Sequence, residues 1–256
     1  MASHVLENPV AKTQTALRQT VAIVDLEGAA VQASQHCDSG NRRIDNALRR
    51  LDGLTLLEWC VRRLSESAMI DSIYITGSPK LRSKILKTGL GDARWIPSAF
   101  RTPAERALEI AERFQANWIV FASPLCPFAD PTLLDRLIAA AWANPESDVV
   151  EYLATNPTNQ YRASLGMVHE MCSVQALERL RDRGVLGQDS DVLELIRQNS
   201  DWFLSKYLPL PHELDCSEAR FCVETVEDWD RASQMLEATG SDFCWRRLVD
   251  VSSRIV

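Results

Sequence analysis

The amino-acid sequence predicts an α/β protein with a mostly parallel central sheet. Three short apolar runs, at residues 20–25, 72–76 and 118–122, are rich in strand-forming residues and too short for helices. The run at 118–122 is unbroken by polar residues, which is typical of a strand buried on both faces. Amphipathic segments at residues 47–66 and 103–115 separate the three runs, as in successive βαβ units. Ligands of such sheets bind beyond the carboxyl ends of the strands, so the loop after residue 122 is the first candidate site.

Local patterns define the elements of the first half. Leu57, Cys60, Val61 and Leu64 share one helical face, which predicts an amphipathic helix. Asp130 in front of a proline is typical of a helix start. In chain order we predict a strand at 20–25, a long polar loop to residue 46, a helix at 47–66, a strand at 72–76, a short helix at 80–88, a strand at 93–96, a helix at 103–115, a strand at 118–122 and a helix at 131–142.

The second half is less regular. Thr225, followed three residues later by Asp228, predicts a capping box. We predict a strand at 148–152, a turn at 156–159, an extended segment at 164–171, helices at 174–182 and 190–198, an extended segment at 208–214, a strand at 220–224 and a helix from 225 to about 237. We therefore expect a single α/β domain at residues 19–256, preceded by a loose arm at residues 1–18.

Composition and charge narrow the function classes. The chain has 256 residues, of which 46% are hydrophobic, and a formal net charge of −7 at pH 7. An acidic protein of this kind is a poor general binder of nucleic acid or of anionic membranes, so a small-molecule ligand is favoured. The 7 cysteines occur singly, and no apolar run reaches a membrane-spanning length. These features predict a cytoplasmic protein without a membrane segment.

Four stretches carry a resemblance to a known family. Residues 42–46 lead without a gap to Leu-x-Gly-x-x-Leu-Leu-Glu at 51–58. Residues 103–106 read Pro-Ala-Glu-Arg, residues 126–131 read Cys-Pro-Phe-Ala-Asp-Pro, and residues 223–228 read Val-Glu-Thr-Val-Glu-Asp. In order and spacing these stretches resemble the cytidylyltransferases that activate acidic sugars, most closely the branch named after spore-coat polysaccharide biosynthesis.

This resemblance implies a three-layer nucleotide-diphospho-sugar transferase fold, which is GT-A-like and Rossmann-like. It implies CTP as substrate, Mg²⁺ as cofactor and a sugar acid as acceptor, because nucleotidyl transfer depends on positioning and on charge neutralisation at phosphorus. It also implies that a homodimer can form through the second half. By position we assign Arg42 to catalysis, Asp25, Arg42, Arg43 and Ser123 to the nucleotide, Arg162 and Glu170 to the sugar, and Glu224 to the metal.

The sequence departs from the family pattern where metal and triphosphate are bound. Leu125 stands where the family has a metal-binding aspartate, and leucine cannot ligate a hard cation. Asn46 stands at the lysine position of the first loop, and Asp45 before it would repel a triphosphate. Glu224 replaces the second aspartate with a longer carboxylate that can still bind a metal.

Some residues keep alternative interpretations. The arginines at 42, 43, 49 and 50 are equally typical of a solvated helix start. A shift of a few residues in the first loop would instead give Arg49 or Arg50 the role of the lysine. Glu224 could serve only as a cap of the following helix. For Cys126 a packed thiol is favoured over a nucleophile, since no neighbouring base is visible in the sequence.

Two functions follow from these observations. We favour a divergent family member of surface-polysaccharide metabolism that has weak or no transferase activity and binds a sugar or nucleotide. The reason is that each lost charged group removes electrostatic stabilisation of the transition state. The alternative is an active CTP-dependent enzyme that makes a CMP-sugar with a rewired Mg²⁺ site, in which Asp25 or Asp45 replaces the missing aspartate.

Overall fold

The structure, a computed structural model, describes residues 19–28, 40–154, 166–186, 191–215 and 220–255, with the backbone alone at 40–43. The predicted arm at 1–18, the predicted turn at 156–159 and Arg162 lie outside these ranges. Nine strands are described: β1 Thr20–Asp25, β2 Arg50–Leu51, β3 Leu54–Thr55, β4 Ser72–Gly77, β5 Arg94–Pro97, β6 Trp118–Ala122, β7 Val149–Leu153, β8 Glu170–Ser173 and β9 Ser205–Pro209.

Seven of these strands form one sheet in the order β5-β4-β1-β6-β8-β7-β9. Strand β1 is parallel to β4 and β6, β4 is parallel to β5, and β7 is parallel to β9. Strand β8 runs antiparallel to its neighbours β6 and β7. The predicted α/β class with a mostly parallel sheet is therefore confirmed.

Helices cover both faces of the sheet and make three layers. The α-helices are Gly40–Ala47, Leu56–Ser65, Arg82–Ile85, Pro103–Phe114, Pro131–Ala143, Val174–Asp182, Val192–Gln198, His212–Asp215, Val226–Thr239 and Trp245–Ser252, with 3-10 turns at Pro79–Leu81 and Ser200–Trp202. Alternate residues of β1 enter two different cores. Ala22 and Val24 belong to one buried cluster, and Val21 and Ile23 belong to the other. No helix in the described part of the chain combines the length and hydropathy needed to cross a bilayer.

The predicted helix caps are confirmed. Thr225 accepts a hydrogen bond from the backbone N–H of Asp228, whose carboxylate accepts one from the N–H of Thr225. Asp130 caps Pro131–Ala143 through the N–H groups of Thr132 and Leu133. The second oxygen of Asp130 accepts from the N–H of Trp245 at 2.9 Å. One carboxylate thus fixes the starts of two helices.

The prediction of one continuous helix at residues 47–66 is wrong for residues 48–55. Residues 50–55 form a hairpin, and Asp52 and Gly53 have φ values of 47° and 82° at its turn. Positive φ at both central residues is typical of the type I′ turn that Asp-Gly favours. Thr55 then caps the helix Leu56–Ser65 with a capping box. The Asp-Gly pair therefore outweighs the helical spacing of the leucines around it.

Three other predictions need correction. The loop predicted up to residue 46 contains the helix Gly40–Ala47, and the segment predicted as extended at 208–214 ends in the helix His212–Asp215. The segment predicted as a strand at 220–224 pairs with no described strand. A backbone hydrogen bond from the N–H of Val223 to the carbonyl of Leu125, at 2.8 Å, links it to the loop after β6.

Candidate functional site

A cleft lies at the carboxyl ends of β1 and β6, next to the start of β8. It encloses a cavity of about 50 Å³. The polar and titratable residues that line it include Asp25, Ser123, Cys126, His169, Glu170 and Asp191. The cavity lies where the parallel strands predict a ligand site. It brings together three residues that the sequence assigned to a site, namely Asp25, Ser123 and Glu170.

Asp25 ends β1 and is bound by Arg106 of the helix Pro103–Phe114. Nε of Arg106 donates to Oδ2 of Asp25 at 2.8 Å, and Nη2 donates to Oδ1 at 3.1 Å. Nη1 of Arg106 donates to the carbonyls of Phe100 and Arg101. Arg106 is 2% exposed. The charge of Asp25 is therefore compensated by a buried guanidinium, and both of its oxygens are occupied.

Glu170, which the sequence assigned to the sugar, is bound by Arg197 of the helix Val192–Gln198. Nη2 of Arg197 lies 2.5 Å from Oε1 of Glu170 and 2.9 Å from Oε2 of Glu151. Burial raises the pKa of Glu170 to about 7; Arg197 opposes this rise, whereas Asp191 and Glu151 add to it. One guanidinium thus faces two carboxylates, and the edge of the cleft carries excess negative charge.

His169 precedes Glu170 and lines the same cavity. It is 6% exposed, and burial lowers its pKa to about 4. The imidazole is therefore neutral near pH 7 and can offer one donor and one acceptor to a ligand.

A second group of residues meets beside the cleft, around Leu125 and Glu224. The hydrogen bond from Val223 to Leu125 brings these two segments together. Nδ2 of Asn46 donates to the carbonyl of Glu224 at 3.4 Å, so the helix Gly40–Ala47 meets them as well. These are the three positions at which the family resemblance implies a lysine and two metal carboxylates.

The side chains present do not fit a divalent cation. Leu125 is buried, its side chain is apolar, and its carbonyl already accepts a hydrogen bond from Val223. The carboxylate of Glu224 is bound by Nη2 of Arg220 at 2.7 Å. Within the described ranges, no group of three or more His, Cys, Asp or Glu residues is arranged to hold a metal ion. Hard cations need several oxygen ligands, which this set does not supply.

The two acids considered for a rewired metal site are also engaged. Asp25 is occupied by Arg106. Asp45 is exposed and pairs with Nζ of Lys84 at 3.1 Å. Among the described residues, no hydrogen bond connects the carboxylate of Asp25 or Asp45 to Glu224. A metal role for Asp25 or Asp45 stays a prediction.

The other assigned residues are placed as follows. Arg42 and Arg43 lie in the helix Gly40–Ala47. Oγ of Ser123 accepts from the N–H of Leu125 at 3.3 Å and so supports the loop after β6. The guanidinium of Arg49 lies 3.9 Å from the ring centre of Trp229, and Arg50 is exposed on β2. The helix after Glu224 is capped by Thr225, with Asp228 completing the capping box, rather than by Glu224. The roles assigned to these residues in ligand binding stay predictions.

Sequence reasoning did not assign Arg106, Arg197 or His169 to the site. The only advance signal for Arg106 was its position in the Pro-Ala-Glu-Arg stretch. Arg197 carries none, because its two partners lie 46 and 27 residues away. Such contacts become visible only when distant segments are brought to one sheet edge.

The fold and the cleft define an α/β protein of the nucleotidyltransferase class. A family model described as Cytidylyltransferase matches residues 39–199, and the chain belongs to that family. A comparison with curated protein sequences gives no significant match.

Solved structures support the same fold. A cytidylyltransferase from Leptospira borgpetersenii serovar Hardjo-bovis superposes with a TM-score of 0.70 at 17% identity, over 93% of this chain and 94% of that chain. A 4-diphosphocytidyl-2C-methyl-D-erythritol synthase from Anaerococcus prevotii gives 0.56 at 14% identity, over 88% and 99%. A CMP:2-keto-3-deoxy-manno-octonic acid synthetase complexed with CTP gives 0.55 at 11% identity, over 86% and 98%. At these identities the likeness concerns the fold alone.

Proposed function

We propose that this protein is a divergent member of the cytidylyltransferase family that binds a nucleotide or sugar of surface-polysaccharide metabolism and has little or no transferase activity. We place it in the cytoplasm as a single α/β domain that can form a homodimer. The relation between Leu125 and Glu224 carries the proposal. A backbone hydrogen bond joins the segments that carry these two positions, yet one side chain is apolar and the other is bound by Arg220.

The charges that line the cleft support the proposal that it binds a triphosphate weakly. Asp25, Glu170 and Asp191 line the cavity. Arg106 forms an ion pair with Asp25, and Arg197 forms ion pairs with Glu151 and Glu170. The positive charges of both arginines are therefore already compensated by protein carboxylates. Nucleotidyl transfer requires compensation of the charge on the phosphates, and the described part of the cleft supplies little of it. The chemistry favours a ligand held by hydrogen bonds to hydroxyl or amide groups.

The test is calorimetric titration of the purified protein with CTP, with and without Mg²⁺, followed by a pyrophosphate-release assay with a panel of sugar acids. We expect CTP binding that Mg²⁺ does not strengthen, and no pyrophosphate release above background. Tighter CTP binding in Mg²⁺ together with turnover would overturn the proposal in favour of the active alternative.

Three variants test whether individual carboxylates bind Mg²⁺. Glu224→Gln removes the one carboxylate that the family pattern retains and keeps the shape of the side chain. Asp25→Asn and Asp45→Asn do the same for the rewired site. We expect all three variants to leave the response of CTP affinity to Mg²⁺ unchanged. If any of them abolishes a response seen in the native protein, that carboxylate is a metal ligand and the proposal is wrong.

A further inference from the structure

We infer that Cys126 and Cys222 are a peroxide-sensitive dithiol pair that closes a disulfide between two loops of the candidate site. Cys126 lies in the loop after β6, and Cys222 lies in the irregular segment before Glu224. Their Sγ atoms are 2.9 Å apart although the residues are separated by 96 positions. Both side chains are buried. This inference goes beyond the proposed function and does not depend on whether CTP binds.

The surroundings hold the two sulfurs together. The hydrogen bond from Val223 to Leu125 joins the residues that directly adjoin the two cysteines. Gly166 packs behind Cys222 so closely that a Cβ there would lie 2.7 Å from its Sγ. A disulfide bond is about 2.05 Å long, so the sulfurs need to approach by roughly 0.9 Å. That is a small side-chain movement and requires no rearrangement of the sheet.

The cleft gives a small oxidant access to one of the two thiols. Cys126 lines the cavity, whereas Cys222 is not among its lining residues. A cavity of about 50 Å³ admits an oxidant the size of hydrogen peroxide and excludes a tripeptide disulfide. Because Cys126 is the one of the two that lines the cavity, it is the sulfur that meets the oxidant and reacts first.

The reaction balances with a peroxide as the only co-reactant. The sulfur of Cys126 attacks one peroxide oxygen, the O–O bond breaks, and the leaving hydroxide takes the thiol proton as water. The product is a sulfenic acid, which condenses with a neighbouring thiol. The sulfur of Cys222 then attacks that of Cys126, the S–O bond breaks, and the second hydroxide leaves with the Cys222 proton. Two thiols lose two electrons in total, and the peroxide is reduced to two waters. A dithiol reductant reduces the disulfide back to two thiols.

The experiment is mass spectrometry of the full chain after treatment with hydrogen peroxide, removal of the oxidant and alkylation in denaturant. We expect a linked peptide that contains Cys126 and Cys222, is lighter by two hydrogens and is lost on treatment with dithiothreitol. The Cys222→Ser variant should stop at a sulfenic acid on Cys126, which a cyclic 1,3-diketone reagent traps. The thermal midpoint of the native protein should rise on oxidation, and that of Cys126→Ser should not.

Two other cysteines provide controls. Cys60 is fully buried, and Cys126 is close enough to contribute to the rise in the pKa of Cys60. Cys60→Ser therefore tests whether Cys60 is the partner of Cys126 instead. We expect the link to persist in that variant. Exposed Cys244 reports that the oxidant has reacted. If Cys244 is oxidised while Cys126 and Cys222 are both alkylated, or if Cys126 is linked to another cysteine, the inference is wrong.

Discussion

The guanidinium of Arg106 binds both carboxylate oxygens of Asp25, at 2.8 Å and 3.1 Å, and so ties the helix Pro103–Phe114 to the carboxyl end of β1. The two residues are 81 positions apart. Arg106 is also the donor to two backbone carbonyls of the loop before its helix. The buried side chain of Arg106 therefore stabilises the base of the cleft through four hydrogen bonds.

Arg106→Met should strongly destabilise the protein, because it leaves Asp25 without its charged partner and removes the donor to the carbonyls of Phe100 and Arg101. Removal of one partner of a buried ion pair costs about 3 to 5 kcal/mol. Urea denaturation followed by circular dichroism measures the free energy of unfolding. Arg254→Met is the matched control, since Arg254 pairs with Asp250 on an exposed surface and should cost less than about 0.5 kcal/mol. Equal losses in the two variants would contradict the role assigned to Arg106.

Gly166→Ala should be much more harmful than Gly184→Ala. Both glycines have positive φ, at 69° and 75°. A Cβ at Gly166 would lie 2.5 Å from the backbone nitrogen of Cys222, whereas a Cβ at Gly184 meets nothing within 4 Å. We expect a loss of about 1 kcal/mol for Gly184→Ala from backbone conformation alone. For Gly166→Ala we expect roughly 3 kcal/mol or more, since overpacking adds to that cost.

Unfolding experiments on both glycine variants measure this difference. The clash at Gly166 displaces the segment that carries Cys222 and Glu224, so the peroxide-dependent link should be lost in the same variant. A Gly166→Ala protein as stable as Gly184→Ala would show that this segment is not packed as described.

The dependence of stability on pH should reflect two opposing groups in the cleft. The pKa of Glu170 is raised from 4.5 to about 7, so its contribution to stability is complete below pH 4.5 and is lost as the pH rises through 7. The pKa of His169 is lowered from 6.5 to about 4, so its contribution is complete above pH 6.5 and is lost as the pH falls through 4. Between pH 4.5 and 6.5 the two dependences oppose each other.

Glu170→Gln should therefore reveal the contribution of His169 to the pH dependence of stability. Between pH 4.5 and 6.5 the free energy of unfolding of this variant should rise with pH more steeply than that of the native protein. The difference in slope is up to about 1.4 kcal/mol per pH unit, which corresponds to one proton. Urea denaturation at half-unit steps of pH measures it. Parallel profiles for the two proteins would show that Glu170 does not titrate in this range.

Leu125→Asp should create a response to Mg²⁺ that the native protein lacks. The variant restores the carboxylate of the family pattern beside Glu224, although burial of a charge lowers its stability without metal. We expect Mg²⁺ to restore stability by about 1.4 kcal/mol at ten times its dissociation constant. Thermal unfolding with and without Mg²⁺ measures this effect. Leu125→Asn has the same size and no charge, and an equal response in both variants would refute the proposed geometry.

Part of the candidate site could be predicted from the sequence. Asp25, Ser123 and Glu170 were expected there, and all three line one cavity. Leu125 and Glu224 were paired by motif, and a hydrogen bond between their segments places them together. Arg162 lies outside the described residues. The strand expected at 220–224 does not form, because a short apolar run specifies an extended backbone without specifying a neighbouring strand.

Local signals determined the elements that the sequence established by itself. Asp130 and Thr225 cap helices through backbone groups two or three residues away, and the apolar run of β6 requires burial on both faces wherever it lies. The tertiary structure alone decided that Arg106 neutralises Asp25 and that Cys126 meets Cys222. Capping depends on nearest neighbours in the chain, whereas ion pairs and thiol contacts depend on which distant segments the sheet brings together.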